Sequence, residues 1–146
     1  MFDLILTGGT LSDGRVADIA VKAGRIAEIA PTIAGEARET VDATGCLVSP
    51  PFVDPHFHMD ATLSYGLPRI NASGTLLEGI ALWGELKPLL THAAVEERAL
   101  AYCDWAASMG LLAIRSHVDV CDDRLLAVAA LLSVKTKVAP YITLQL

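Results

Sequence analysis

Apolar and polar positions change their period along the chain, and the change falls near Pro50-Pro51. Before that point the apolar runs are short and punctuated by glycine. Leu4, Ile5 and Leu6 make one run, ended by Gly8-Gly9. Ile19 and Val21 alternate with Ala20 and Lys22, a turn falls on Lys22-Ala23-Gly24-Arg25, and Ile26 and Ile29 follow. Two short apolar segments around a glycine-containing turn predict a β-hairpin. Residues 36–40 are polar and predict a bend. Val41-Asp42-Ala43 and Cys46-Leu47-Val48 flank Thr44-Gly45 as two further extended pieces. The expectation for residues 1–50 is a small antiparallel sheet.

Proline restricts its own φ and the residue before it, so Pro50-Pro51 marks a boundary. Phe52-Val53 then predicts a short buried strand, and residues 61–74, rich in Gly, Ser, Asn and Pro, predict a long loop. Leu76, Leu77, Ile80, Trp83 and Leu86 recur at helical spacing, which predicts a helix over residues 75–90 broken near Pro88. Thr91 is placed to cap a second helix, whose apolar stripe is Val95, Ala99, Tyr102, Cys103, Ala106 and Met109, with Gly110 as its stop. Residues 111–114, Leu-Leu-Ala-Ile, match the continuous apolar run of a buried parallel strand. Asp122 or Asp123 is expected to cap a third helix carrying Leu125, Val128, Ala129 and Leu132. Lys135 and Lys137 lie near its end, where cations suit the dipole. Tyr141 to Leu146 is a further strand candidate. Strand, helices, strand, helix, strand implies an α/β fold of βα units on a parallel sheet.

Composition changes this picture in one respect. The 146 residues are 53% hydrophobic and 19% charged, which excludes intrinsic disorder. That is much interior for a small domain, which has proportionally more surface to cover, and it suggests part of a larger structure. A net charge of −6 argues against a nucleic-acid surface. The longest stretch without a charge, residues 43–53, contains two prolines and is too short to span a membrane. The opening Met1-Phe2-Asp3 has no basic segment of a secretory signal. Cys46, Cys103 and Cys121 form no CxxC pair, so they are expected to be reduced residues of a cytoplasmic protein, with no cysteine zinc site.

The candidate chemistry sits in two stretches. Residues 50–60 read Pro-Pro-Phe-Val-Asp-Pro-His-Phe-His-Met-Asp. Residues two apart on a strand face the same way, so His56 and His58 would present two imidazoles together, just after an apolar strand. Imidazole suits zinc or iron(II). The alternative is two unrelated loop histidines, and the preceding strand with Asp54 and Asp60 nearby favours the metal. The second stretch is Arg115-Ser116-His117-Val118-Asp119, after the run at 111–114. His117 is then a ligand, a substrate hydrogen-bond partner, a group behind the ligands, or only a polar residue at a strand end. His92 is expected at the surface or in a cap, Trp83 and Trp105 in the core. There is no phosphate loop, no GxSxG elbow and no H-x-E with a Pro-Cys-x-x-Cys partner.

These stretches, with Ser73-Gly74-Thr75-Leu76, Leu89-Leu90-Thr91-His92 and Val138-Ala139-Pro140, resemble the metal-dependent amidohydrolase superfamily, and within it the N-terminal third of the bacterial cytosine deaminases. The resemblance implies the N-terminal part of a (β/α)8 barrel, with residues 1–50 a segment of a small β-sandwich and residues 51–146 the first βα units. It implies His56 and His58 as metal ligands, with His117 and Asp119 as active-site neighbours. No catalytic acid or base is implied within these residues; those, with a third histidine and a metal-binding aspartate, come from later strands of the family. The implied cofactor is one divalent ion, Fe(II) or Zn(II). The implied reaction is hydrolytic deamination of a free pyrimidine base, cytosine to uracil and ammonia, in pyrimidine salvage. The implied partners are a small nucleobase and further copies of the protein, with no nucleic acid and no membrane. The competing readings are action on isocytosine or an N-alkylated aminotriazine, or a barrel scaffold without catalysis. A (β/α)8 barrel takes about 250 residues, so the 146-residue chain is expected to be truncated and inactive alone.

Overall fold

The computed structural model describes residues 1–146. They divide into two compact units, Met1–Pro50 and Pro51–Leu146.

The first unit is a four-stranded sheet: β1 (Phe2–Thr10), β2 (Val16–Lys22), β3 (Arg25–Ala30) and β4 (Ala37–Asp42), in the order β3-β2-β1-β4. The β2–β3 hairpin forms at the expected turn, where Ala23 and Gly24 both take positive φ, as a two-residue turn between twisted strands requires. Three expectations are corrected. β1 does not stop at Gly8-Gly9 but runs on to Thr10, with a register shift between Leu6 and Gly9. Gly8 takes φ +67° there, and a Cβ on it would stand 2.8 Å from Thr44 Oγ1. Residues 37–40, expected in a bend, join Val41 and Asp42, expected extended, in one strand, and this strand runs parallel to β1, so the sheet is mixed. Cys46-Leu47-Val48 contributes only a single bridge, from Leu47 to Thr10. Ile5, Ala20 and Ile33 form a small core. Asp18 lies buried beside it, accepting hydrogen bonds from the Gly8 and Ile33 N–H groups.

The second unit is a parallel sheet of β5 (Phe52–His58), β6 (Leu111–His117) and β7 (Thr143–Gln145), in that order. Its connections contain α1 (Leu76–Leu86), α2 (His92–Ser108) and α3 (Leu126–Val138). Helix starts match the capping logic at Thr75 and Thr91, whose hydroxyls accept from the Glu78 and Ala94 N–H groups. Gly110, at φ +80°, follows the end of α2. The third helix departs from expectation. Leu125, in a left-handed conformation, occupies its N-cap position without a side-chain cap, while Asp122 binds Arg124. Its buried face is Ala127, Ala130, Leu131, Val134 and Val138, not Leu125, Val128, Ala129 and Leu132. On α1 only Leu82 and Leu86 are buried, and Leu76, Leu77 and Ile80 are exposed. Met109 and Trp105, expected in the core, are exposed too.

One continuous core joins Met59, Val95, Ala99, Cys103, Ile114, Leu131, Val134, Val138 and Leu144. It lies on the side of the sheet covered by α2 and α3. Burial of Cys103 pushes its thiol up to about 11, so it is an inert packing residue, and all three cysteines are free. The other side of the sheet is exposed at His56, His58, Arg115, His117, Thr143 and Gln145. No helix is long and apolar enough to cross a membrane.

Candidate active site

β5 extends through the histidine pair, so His56 and His58 stand on the strand itself and not after it. Phe57 between them turns the other way, into the core, and stacks on Tyr102 of α2 with ring centroids 4.3 Å apart. The period of two therefore sends both imidazoles to the open side of the sheet. Their ring centroids are 5.4 Å apart.

His117 ends β6 and is the register partner of His58. Its ring lies 4.2 Å from that of His56 and 5.4 Å from that of His58. Three histidines from two neighbouring strands thus make one imidazole cluster at the C-terminal end of a parallel sheet, the edge where such sheets place their sites. No group of three or more His, Cys, Asp or Glu side chains is arranged to hold a metal ion. The three rings are close, but these 146 residues do not close a ligand set. His92 lies apart, exposed at the start of α2 with Nδ1 3.7 Å from Glu96 Oε2.

Behind the cluster is a hydrogen-bond network. Asp119 Oδ2 accepts from the Trp83 indole N–H at 2.6 Å and pairs with Lys87 Nζ at 2.9 Å, while its Oδ1 accepts from the Cys121 N–H at 2.7 Å. The Lys87 ammonium, the Cys121 N–H and the indole hold the Asp119 carboxyl well below the usual carboxylate range. The same contact raises Lys87 above the ordinary lysine value. Asp119 bonds these groups and none of the three imidazoles.

Three side chains near the cluster have roles that the sequence reading did not assign. Trp83 packs against the core as expected, and its indole N–H is also the partner of Asp119. Asp60 is buried at 2% exposure, and Oδ2 accepts from the Asp119 N–H at 2.8 Å. Ser116, also buried, accepts from the Met59 N–H and donates to the His117 carbonyl, each at 2.9 Å. Asp60 and Ser116 each lie within two residues of one of the clustered histidines, which is the signal that could have found them; Trp83 has no such signal. A cleft of about 230 Å³ lies against α1, floored by Leu82, Trp83 and Leu86 and rimmed by Ser64, Arg69 and Asn71. None of the three histidines lines it, and the convergence of imidazoles outweighs cavity size as a mark of chemistry.

A family model described as the Amidohydrolase family matches residues 39–142. N-isopropylammelide isopropyl amidohydrolase of Pseudomonas sp. (strain ADP) is 33% identical over 150 residues, covering 99% of this chain and 37% of that protein. A crystal structure of 5-methylcytosine deaminase from Klebsiella pneumoniae, liganded with 5-fluorocytosine, superposes with a TM-score of 0.87 at 37% identity, covering 97% of this chain and 35% of that one. Allantoinase of Escherichia coli is 49% identical over 61 residues, 40% of this chain and 13% of that protein. The chain thus spans little more than a third of the length of the first two.

Proposed function

The chain belongs to the amidohydrolase family, and from that premise we propose that the whole protein hydrolyses the exocyclic C–N bond of a cytosine-type ring, releasing ammonia. The observation that carries this reading is the pairing of His56 and His58 on one face of β5 with His117 in register on β6, within a backbone so close to a 5-methylcytosine deaminase.

The donor chemistry fits a divalent metal in part. His56 and His58 are neutral nitrogen donors suited to zinc or iron(II), and they are exposed on one face. They are two ligands of a set, since no third donor is arranged with them to complete one. A divalent cation held there supplies Lewis-acid polarisation and lowers the pKa of water to about 7. The chain's own contributions are separate from that. Phe57 stacked on Tyr102 fixes the orientation of the strand that carries the pair. His117 stands within reach of the same space, where a ring N–H can donate to, or a bare nitrogen accept from, a bound ring. Asp119, held ionised by Lys87, anchors the loop behind His117. Asp54 bonds the His56 backbone N–H, and no carboxylate pairs with the rings of His56, His58 or His117 among the ion pairs of the chain.

A second reading has an observation of its own, the likeness to N-isopropylammelide isopropyl amidohydrolase over nearly all of this chain. An N-alkylated aminotriazine and a cytosine both present an amidine-like carbon bearing nitrogen. The test is steady-state turnover by the whole protein of cytosine, 5-methylcytosine, isocytosine and N-isopropylammelide, with zinc or iron(II) supplied and ammonia or isopropylamine measured. The expected result is highest kcat/KM on cytosine or 5-methylcytosine. Preference for N-isopropylammelide would replace the first reading by the second, and no turnover of any of them would leave a non-catalytic barrel.

A further inference from the structure

Two side chains to which the proposed function gives no role tie together the strand ends that carry His58 and His117. β5 ends at His58 and passes directly into a tight turn at Met59–Ala61. β6 ends at His117, and the chain leaves the sheet through Val118 and Asp119. Ladder bonds hold the strands up to this point, and beyond it the backbone has no sheet partner. The gap is bridged twice. Ser116 Oγ takes the Met59 N–H and gives its own proton to the His117 carbonyl. Asp60 Oδ2 takes the Asp119 N–H at 2.8 Å, and Oδ1 takes the Ala61 N–H at 3.0 Å. The Arg98 guanidinium of α2 donates to the Asp60 and Thr62 carbonyls, holding the turn from below.

The energetics of Asp60 set it apart from ordinary turn residues. Its carboxylate is 2% exposed and no cation pairs with it among the ion pairs of the chain. Burial of a polar side chain is costly unless it is hydrogen-bonded, and an apolar side chain would fill this position at less cost. Retaining a carboxyl group here makes sense for what it holds, the Ala61 N–H of its own turn and the Asp119 N–H of the loop after β6.

We propose that Asp60, with Ser116, is a positioning latch for the imidazole cluster: it fixes the separation of His58 from His117 by clamping the turn after β5 to the loop after β6. This rests on the proposed metal-dependent reading for its consequence but not for its geometry. Groups that orient metal ligands from behind typically change metal affinity by about 10–100-fold when altered.

The test uses the whole protein and the variants Asp60→Asn and Ser116→Ala. Three quantities are read: the zinc dissociation constant by competition with a chelator, the ring-to-ring nuclear Overhauser effect between His58 and His117 in the metal-free protein with histidine-selective labelling, and the melting temperature. The expected result is a folded protein in which zinc binds about 10–100-fold more weakly and the His58–His117 ring contact weakens, with the larger effect in Asp60→Asn. With substrate, kcat falls while KM holds. Wild-type zinc affinity and ring contact in a folded variant would overturn the proposal. So would affinity losses no greater than the unfolded fraction, or failure of both variants to fold, which would assign the two side chains to the core. If the wild type binds no zinc while the variants lose the ring contact, the latch stands and the metal-dependent reading falls.

Discussion

Glu78, in the first turn of α1, shows how much one side chain organises in this protein. It accepts from the hydroxyl and the backbone N–H of Ser73 and from the Arg69 guanidinium, which ties the loop before α1 to the helix. The Ser73 hydroxyl and N–H, with Arg69, bring its carboxyl down to about 2 from the ordinary 4.5. Because the folded value lies below the unfolded one, the unfolded chain binds more protons between them, and stability falls as pH falls. The contribution is complete above about pH 4.5 and is lost down to about pH 2. Acid titration of stability by denaturant unfolding should therefore show a slope in that window, reduced in Glu78→Gln. An unchanged slope in the variant would place the acid sensitivity elsewhere. The site histidines were legible at this same scale, because the chemistry of imidazole and the strand period act on single residues. Asp60 was legible only as a carboxylate near the pair, and its bond to the Asp119 N–H and the role of Ser116 were not, since a carboxylate in a turn and a serine in a strand have many ordinary explanations.

Helices and strands were legible where one local interaction decides them. Thr75 and Thr91 cap α1 and α2 because each hydroxyl meets an N–H three residues on. Phases and edges were legible only in part. Residues 126–138 are apolar on nearly every side, so no stripe marks the face of α3, and packing against α2 chooses it. β4 reads Ala-Arg-Glu-Thr-Val-Asp and is almost wholly exposed. A strand at the edge of a sheet is made by backbone pairing, here with β1, and leaves little hydrophobic pattern to follow. The packing itself is testable at this scale. Leu131 is fully buried in the α2–α3–sheet core, so Leu131→Ala should cost about 2–5 kcal/mol by chemical denaturation. A loss under about 1 kcal/mol would show that α3 is not seated as described.

At the scale of the whole molecule, the high apolar content first suggested part of something larger. The structure gives that content a location. Val53 and Phe52 of β5 are more than 60% exposed, and the open side of the parallel sheet carries the histidines beside Arg115 and Gln145, which hydrogen-bond to each other at 3.0 Å. One side of the sheet is a packed core and the other carries the exposed imidazoles. Relatives of about three times the length match this chain over nearly all of it. The account therefore turns on whether the imidazoles of β5 hold a metal in the whole protein. The most direct measurement is metal content by mass spectrometry in the purified whole protein and in His56→Ala, with circular dichroism to show that the fold is kept. The account predicts about one divalent ion per chain in the wild type and its loss in the variant, because a direct ligand has been removed. Equal metal content in the two proteins, or none in the wild type after incubation with zinc or iron(II), would contradict it.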